Sequence, residues 1–309
     1  MSYKTLIVTD PFNDVDDIVA LYTTLKSGKI DVKGVVTTYG DARTRAKGTR
    51  KFFGIAGFES VPIHYGVSGN GNFDVPNQMP ESGYEFLGEK ELASSDDEFG
   101  IKPGGEEFIS RTIRENPKNI SIVSIAPMTS IANAFDIADP SDVKRIYVMA
   151  GRVGGYDNRP DAQHHNARVP SYNVACDVEA SRKVLNSGAE IYVVGKNLWS
   201  DDLFKLEDFE QLKNGTDAQK QLWRMIKLRD EFNVKTLSPF GIKTITYMFD
   251  SITMGALLFP ELYDFQKIDL RTDDSGIMET KPSRSGKVYG AVDANLPEIK
   301  NRLMQIILG

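Results

Sequence analysis

The chain alternates short apolar runs with amphipathic segments, and this alternation constrains its fold more than any other feature. The apolar runs are rich in Val and Ile and too short for helices, so they are expected to form buried strands. Helical patterns follow most of them, which is typical of crossover units around a mostly parallel sheet covered on both faces. The predicted strands are residues 4–9, 32–38, 120–125, 145–149 and 189–194, and the predicted helices are residues 17–27, 44–53, 106–115, 129–135 and 178–186.

This pattern predicts one Rossmann-like α/β domain over residues 1–309, with a mixed, mostly parallel sheet flanked by helices. Three polar segments interrupt the alternation, at residues 66–104, 152–170 and 271–287. Each is longer than an ordinary connection, so each is predicted to be a functional loop or disordered. Residues 205–248 are predicted to form a helical, lid-like insertion.

Composition excludes several classes of function. The chain has 37 basic and 43 acidic residues and a formal net charge of −6, which argues against a partner that is a nucleic-acid polymer. It contains one cysteine and three histidines, too few for an internal disulfide, a thiolate metal cluster or a histidine-rich zinc site. No apolar stretch reaches the length of a membrane span, so we expect a cytoplasmic protein without a membrane partner.

Four carboxylates lie within eight positions where the first predicted strand ends and the first helix begins: Asp10, Asp14, Asp16 and Asp17. Ligands of open α/β sheets bind at the carboxyl ends of strands, and a hard divalent cation such as Ca²⁺ would offset the mutual repulsion of these acids. Helix capping accounts for one or two of the acids at this position. A phosphatase-type aspartate nucleophile is a third interpretation, although Val8 stands where a second acid would be expected.

Residues 9–21, which read Thr-Asp-Pro-Phe-Asn-Asp-Val-Asp-Asp-Ile-Val-Ala-Leu, resemble the N-terminal signature of the nucleoside hydrolases (nucleoside N-ribohydrolases). Further blocks at residues 35–41, 122–132 and 148–151 are similar to later parts of the same family and occur in the same order. Tyr172-Asn173 and Met248-Phe249-Asp250 continue the resemblance, which therefore extends through most of the chain.

The resemblance implies a set of functional residues. Asp10 would ligate Ca²⁺ and deprotonate the attacking water, and the remaining metal ligands would be Asp17, Asp250 and the backbone carbonyl of Ile125. Asp16 would bind a ribose hydroxyl. The positions implied in substrate binding are Asp16, Asp41, Asn166, Ser171, Asn173 and Phe249. Without the resemblance, Asp250 would be read as a helix cap and the two asparagines as ordinary loop residues.

Phe249 departs from the family pattern at the place where inosine/uridine-preferring members carry a histidine that protonates the departing base. A phenylalanine cannot donate a proton, but it can stack on a base, as in the purine-specific branch of the family. Core packing is the alternative interpretation. Tyr84 and Phe86 in the long loop are candidates for the opposite side of a base sandwich, and His164 and His165 are candidates for an acid. Residues expected to be structural are His64, Cys176, Trp199 and Trp223.

Ser171 departs from the pattern where a glutamate commonly contacts the ribose 5′-hydroxyl. Arg152, Arg159 and Arg168 lie in the neighbouring loop. Loss of a carboxylate and gain of guanidinium groups is what recognition of a 5′-phosphate needs, so a 5′-phosphorylated or 5′-modified substrate is a hypothesis. A solvated basic loop is the alternative. Asp41 and Val8 are further departures, since many relatives carry Asn and Asp there.

The sequence therefore predicts a Ca²⁺-dependent hydrolase that splits a ribonucleoside into free base and ribose. Family resemblance also implies a homodimer or homotetramer. Two other classes stay open: a different metal-dependent hydrolase such as a phosphatase, and a non-catalytic relative that binds a nucleoside.

Overall fold

A nine-stranded mixed sheet forms the centre of the molecule. The computed structural model describes residues 3–12, 14–68, 87–154, 170–199, 203–237 and 247–309. The strands are β1 (Tyr3–Thr9), β2 (Ile30–Thr37), β3 (Ile63–Tyr65), β4 (Ser121–Ser124), β5 (Arg145–Met149), β6 (Ile191–Val194), β7 (Tyr263–Thr272), β8 (Met278–Pro282) and β9 (Val288–Ala294).

The strand order is β3-β2-β1-β4-β5-β6-β9-β7-β8. Seven strands from β3 to β9 run parallel, while β7 pairs antiparallel with both β9 and β8. The chain winds outward from β1 to β3 and then returns to β4, on the other side of β1. The boundary between β1 and β4 is therefore the topological switch point, where open α/β sheets form a crevice for ligands.

Helices cover both faces of this sheet. They are α1 (Asp16–Lys26), α2 (Ala42–Ala56), α3 (Glu89–Ala93), α4 (Asp96–Phe99), α5 (Gly105–Glu115), α6 (Thr129–Ala134), α7 (Tyr172–Ala175), α8 (Val178–Leu185), α9 (Asp217–Leu237), α10 (Phe249–Leu258) and α11 (Leu296–Leu308). Side chains of β1 alternate between the two layers: Ile7 packs with α1, α2, α10 and α11, whereas Leu6 and Val8 pack with α5, α6 and α8. The parallel strands are apolar on both faces for this reason.

The predicted single α/β fold with a mostly parallel sheet is confirmed, and all ten predicted elements are present within a few residues of their expected ends. The interpretation of residues 271–287 as a loop or disordered segment was wrong. These residues contain most of the β7–β8 hairpin, in which Arg271 pairs with Glu279. The segment is polar because β8 lies at the edge of the sheet, where charged side chains are ordinary.

The other two long segments fall partly outside the described residues. Within 66–104, the part from residue 87 onward contains α3 and α4. Of 152–170, only residues 152–154 and 170 are described. Most of the described residues in 205–248 are helical, with a 3₁₀ helix at Leu206–Asn214 followed by α9. Among the described residues, no helix is both long and apolar enough to cross a membrane.

Candidate functional site

Acidic side chains gather at the switch point between β1 and β4. Asp10 follows the last residue of β1, and Ile125 follows the last residue of β4, where its N–H donates to the Val8 carbonyl at 2.9 Å. Asp17 lies in the first turn of α1 and Asp250 in the first turn of α10. The three aspartates are only 5%, 4% and 8% exposed, respectively. The structure thus brings the predicted metal-ligand residues to one edge of the sheet.

Asp17 is fixed by the end of β1. Its Oδ1 accepts hydrogen bonds from the Thr9 hydroxyl at 2.5 Å and from the Asp10 N–H at 3.1 Å. Burial and the charge of Asp14 raise the pKa of Asp17 to about 7, while the Thr9 hydrogen bond acts in the opposite direction. Asp17 is therefore a buried carboxylate whose ionisation depends on its few hydrogen-bond donors.

Asp10 lies beside a buried cation that the sequence interpretation missed. Burial and the Asp17 charge hold the pKa of Asp10 well above its ordinary value, and Arg45 opposes them. The Arg45 guanidinium donates to the Tyr39 carbonyl at 2.7 Å, to the Asp10 carbonyl at 2.5 Å and to the Pro11 carbonyl. It therefore fixes the backbone turn that presents Asp10 and supplies positive charge next to the acids.

Asp16 joins the two acidic helices. Its Oδ2 accepts from the Asp250 N–H at 2.7 Å, and its Oδ1 accepts from the Ser251 N–H at 3.1 Å and the Ser251 hydroxyl at 2.9 Å. Asp16 thus caps α10 from α1, so Asp250 does not serve as the cap of its own helix. Asp14 accepts from the Asp16 N–H at 2.9 Å, which places it in the turn before α1 and outside the group of predicted ligands.

These residues suit a hard divalent cation by their chemistry. All predicted donors are oxygen atoms, and burial together with mutual repulsion raises the pKa of Asp10, Asp16, Asp17 and Asp250. A cation among these carboxylates would offset both their burial and their mutual repulsion. Among the described residues, however, no three acidic, histidine or cysteine side chains already converge as metal ligands.

Two predicted sugar-binding residues lie at α7 and contact the backbone where β5 ends. The Asn173 side-chain amide donates to the Met149 carbonyl at 3.2 Å, and the Ser171 hydroxyl accepts from the Gly151 N–H at 2.8 Å. Both side chains are buried. Asp41 is instead exposed, and its carboxylate caps α2 by accepting from the Thr44 N–H at 3.0 Å. Asn166 lies outside the described residues.

An aromatic cluster surrounds the residue before Asp250. The Phe249 ring lies 4.7 Å from the Trp199 ring and 5.5 Å from the nearly parallel Tyr247 ring, measured between ring centres. The Lys196 ammonium lies over Phe249, 5.8 Å from its ring centre. The sequence interpretation assigned Trp199 to packing and overlooked Lys196, because only the fold brings the end of β6 to the start of α10.

The remaining candidates divide between packing and the undescribed part of the chain. His64 stacks on Phe108 with ring centres 4.0 Å apart, as expected for a structural histidine. Cys176 is buried, and burial raises the pKa of its thiol to about 12, so it is a poor nucleophile. Trp223 packs partly buried against the core. Four predicted residues lie outside the described part: Tyr84, Phe86, His164 and His165.

With its acids buried at the switch point of a parallel sheet, the molecule has carboxylates where open α/β folds bind their ligands. Sequence comparison then gives the family. The chain belongs to the inosine-uridine preferring nucleoside hydrolases, whose family model matches residues 5–299. It is accordingly a nucleoside N-ribohydrolase, an enzyme that hydrolyses N-glycosidic bonds.

Two curated relatives come from plants. The chain is 28% identical over 282 residues to the "probable uridine nucleosidase 2" of Oryza sativa, covering 89% of this chain and 79% of the relative. It is 27% identical over 283 residues to uridine nucleosidase 1 of Arabidopsis thaliana, with the same coverage.

Solved structures share the fold at lower identity. A plant nucleoside hydrolase superposes with a TM-score of 0.78 at 21% identity, over 100% of both chains. The purine-preferring ribonucleoside hydrolase of Gardnerella vaginalis also gives 0.78, at 20% identity over 99% of this chain and 98% of that one. The effector protein XopQ, complexed with adenosine diphosphate ribose, gives 0.71 at 18% identity over 100% and 94%.

Proposed function

We propose that this enzyme hydrolyses a ribonucleoside to free base and ribose with the help of a Ca²⁺ ion held by Asp10, Asp17, Asp250 and the Ile125 carbonyl. Nucleoside hydrolases are metal-dependent, and calcium is our choice because the donors are oxygen atoms. The observation that carries this proposal is the burial of three carboxylates at the switch point, each with a raised pKa.

The reaction has two parts, the attack of a water at C1′ of the ribose and the departure of the base. When bound, a divalent cation supplies positive charge that keeps the carboxylates ionised together and polarises the attacking water. Asp10 accepts the proton of that water, whose oxygen joins C1′ of the ribose. The bond from C1′ to the base breaks through a state with oxocarbenium character, as in other glycoside hydrolysis. Arg45 keeps Asp10 in place by fixing its backbone carbonyl.

Ribose binding is assigned to side chains beside the acids. Asn173 lies in α7 with its amide anchored to the Met149 carbonyl at the end of β5, which leaves its side-chain oxygen to accept from a sugar hydroxyl. Asp16 is proposed to accept from a second hydroxyl while it caps α10, since a carboxylate offers about four acceptor positions. Asn166 and Asp41 stay predictions from the resemblance.

We propose a purine preference on the strength of the aromatic cluster at Phe249. The partly buried rings of Tyr247 and Phe249 pack against the buried Trp199 at the start of α10, and stacking on a base contributes about 1–3 kcal/mol. The curated relatives are named for uridine, so uridine is the competing substrate. A higher kcat/KM for inosine or adenosine than for uridine is expected, and the reverse order would remove the purine assignment.

A 5′-phosphorylated substrate is the second candidate. Ser171 places a hydroxyl rather than a carboxylate beside the Gly151–Arg152 turn, so no acid at this position repels a phosphate. XopQ, which shares the fold, is complexed with adenosine diphosphate ribose, a ribose that carries phosphate at its 5′ position. Comparison of kcat/KM for a nucleoside and its 5′-monophosphate tests this idea. An equal or higher value without the phosphate would end it.

A reducing-sugar assay with and without chelator tests the main proposal. Asp10→Asn is expected to lose at least about 1,000-fold in kcat, because this change removes the base that accepts the proton of the water and also a carboxylate ligand of the ion. Asp14→Asn is the matched control, since Asn keeps the oxygen that accepts from Asp16 and should retain most activity. Activity that survives chelation would exclude the metal role.

Parallel measurements of phosphate release and of nucleoside binding separate the other classes of function. Phosphate release without free base would indicate a phosphatase, and nucleoside binding without ribose release would indicate a non-catalytic relative. We also propose a homodimer or homotetramer, on family resemblance alone. Light scattering should then give two or four times the chain mass of 34.4 kDa.

A further inference from the structure

Phe249 leaves the departing base without the proton donor that the family resemblance places at this position. A nucleobase that leaves as an anion is a poor leaving group, and a positioned acid typically contributes about 10²- to 10⁴-fold to such a step. The structure offers one cation directly on this ring. The Lys196 ammonium lies over Phe249, whose neighbour in the chain is the predicted metal ligand Asp250.

The backbone of Lys196 is fixed at the same edge of the sheet as the acids. Lys196 begins a short 3₁₀ helix directly after β6, and its N–H donates to the Gly151 carbonyl at 2.8 Å. The next residue, Asn197, accepts from the Val153 N–H at 2.9 Å and donates to the Ala291 carbonyl at 2.8 Å. These bonds tie the end of β6 to β9 and to the turn after β5.

The ammonium group itself is held by a ring and not by an acceptor. Within the described part of the chain, no carboxylate or carbonyl accepts a hydrogen bond from Lys196 Nζ. A cation over an aromatic face is stabilised by the ring quadrupole, which fixes its position without consuming its three N–H donors. The Trp199 ring packs against the Phe249 ring on which the ammonium lies. As far as the described residues go, the donors of Lys196 are therefore available to a bound molecule.

The electrostatic surroundings favour release of a proton. Burial lowers the pKa of Lys196 because the ammonium is poorly solvated, and the charge of Arg152 lowers it further. An acid is most effective when its pKa lies near the working pH, so both influences act in the useful direction.

We propose that Lys196 is the general acid that protonates the departing base. This inference rests on the proposed function, since it concerns the same reaction. The electron pair of the bond from C1′ to nitrogen passes to the base, and Lys196 delivers one proton to it. Asp10 takes one proton from the water whose oxygen joins C1′. Solvent then returns a proton to Lys196 and removes one from Asp10, which completes the balance.

Paired substrates test this assignment. Steady-state kinetics are compared for inosine, whose base needs a proton, and for 4-nitrophenyl β-D-ribofuranoside, whose phenolate leaves as a stable anion. The variants are Lys196→Met, which keeps the length and apolar body of the side chain, and Lys196→Arg, which keeps the charge but not a transferable proton. Lys213→Met, at an exposed lysine, is the matched control. Urea unfolding midpoints verify that each variant folds.

The expected result is a loss of about 100-fold or more in kcat for Lys196→Met on inosine, with less than about 3-fold loss on the nitrophenyl riboside. Lys196→Arg should lose nearly as much as Lys196→Met on inosine. Equal losses on both substrates, no loss on either, or full rescue by arginine would overturn the assignment. A wild-type enzyme that releases ribose from neither substrate would instead overturn the proposed function and this inference with it.

Discussion

The hydrogen bond from Thr9 to Asp17 favours the ionised form of this buried acid, and Thr9→Val removes the bond with little change in volume. The bond is 2.5 Å long and both partners are buried. A hydrogen bond to a charged group contributes about 1.5–3 kcal/mol, against about 0.5–1.5 kcal/mol for a neutral pair. Thr9→Val should therefore lower the free energy of unfolding by about 1.5–3 kcal/mol above pH 8, where Asp17 is ionised in the folded protein.

The penalty should shrink as the pH falls. The pKa of Asp17 in the folded protein is about 7, raised mainly by burial, so at pH 5.5 the folded protein holds Asp17 protonated while the unfolded chain ionises it. Thr9 then bonds a neutral carboxyl, and its loss costs only about 0.5–1.5 kcal/mol. Raising the pH through 7 releases the proton from the folded state, so the difference between variant and wild type grows with pH.

Urea denaturation in chelator at pH 5.5 and pH 8.5 measures both values. Thr5→Val is the matched control, because Thr5 is a buried threonine of the same strand whose hydroxyl makes only a 3.4 Å contact with the Tyr3 carbonyl. Its loss should cost under about 1 kcal/mol at either pH. If Thr9→Val costs no more than Thr5→Val, or if its penalty is the same at both pH values, the account of Asp17 is wrong.

Three further predictions concern the buried basic residues Arg45, Lys47 and His64. Arg45→Met should destabilise the fold by about 3 kcal/mol or more and weaken calcium binding, as measured by urea denaturation and calorimetry, because three carbonyls lose their donor. Lys47→Met should lower the free energy of unfolding by about 2–3 kcal/mol and speed proteolysis of residues 87–100, because the Lys47 ammonium donates to three carbonyls there. Lys90→Met, on the exposed α3, is the control and should have neither effect. Burial lowers the pKa of His64, so the unfolded chain binds the proton first and the wild type loses stability below about pH 6.5. In urea titrations, His64→Phe should reduce the slope of the free energy of unfolding against pH in that range, and an unchanged slope would contradict this.

The fold and the acidic edge of the sheet follow closely from the sequence. Apolar runs bounded by helical patterns define β1, β2, β4, β5 and β6 and their parallel arrangement. Because β1 and β4 are neighbours, Asp10 and Ile125 must emerge at the same edge. The polar hairpin of β7 and β8 escaped prediction because an edge strand carries the composition of a loop.

The supporting contacts of the site depend on tertiary structure and could not be predicted. Asp16 caps α10 across a sequence separation of more than 230 residues, and no local pattern announces that pairing. Arg45 lies in a helix with several basic residues, and no local pattern distinguishes it as the one buried against the Asp10 turn. Lys196 acquires its position only when β6 and α10 pack side by side.

Isothermal titration calorimetry with calcium, in two buffers of different ionisation enthalpy at pH 7, tests the central claim most directly. The pKa of Asp17 is about 7, and burial raises the pKa of Asp10 and Asp250, so a cation that favours the ionised carboxylates should displace protons when it binds. The account predicts one Ca²⁺ bound per chain, with release of about one proton or more and return of ribose production to the chelated enzyme. Absence of calcium binding, or binding without proton release, would contradict it.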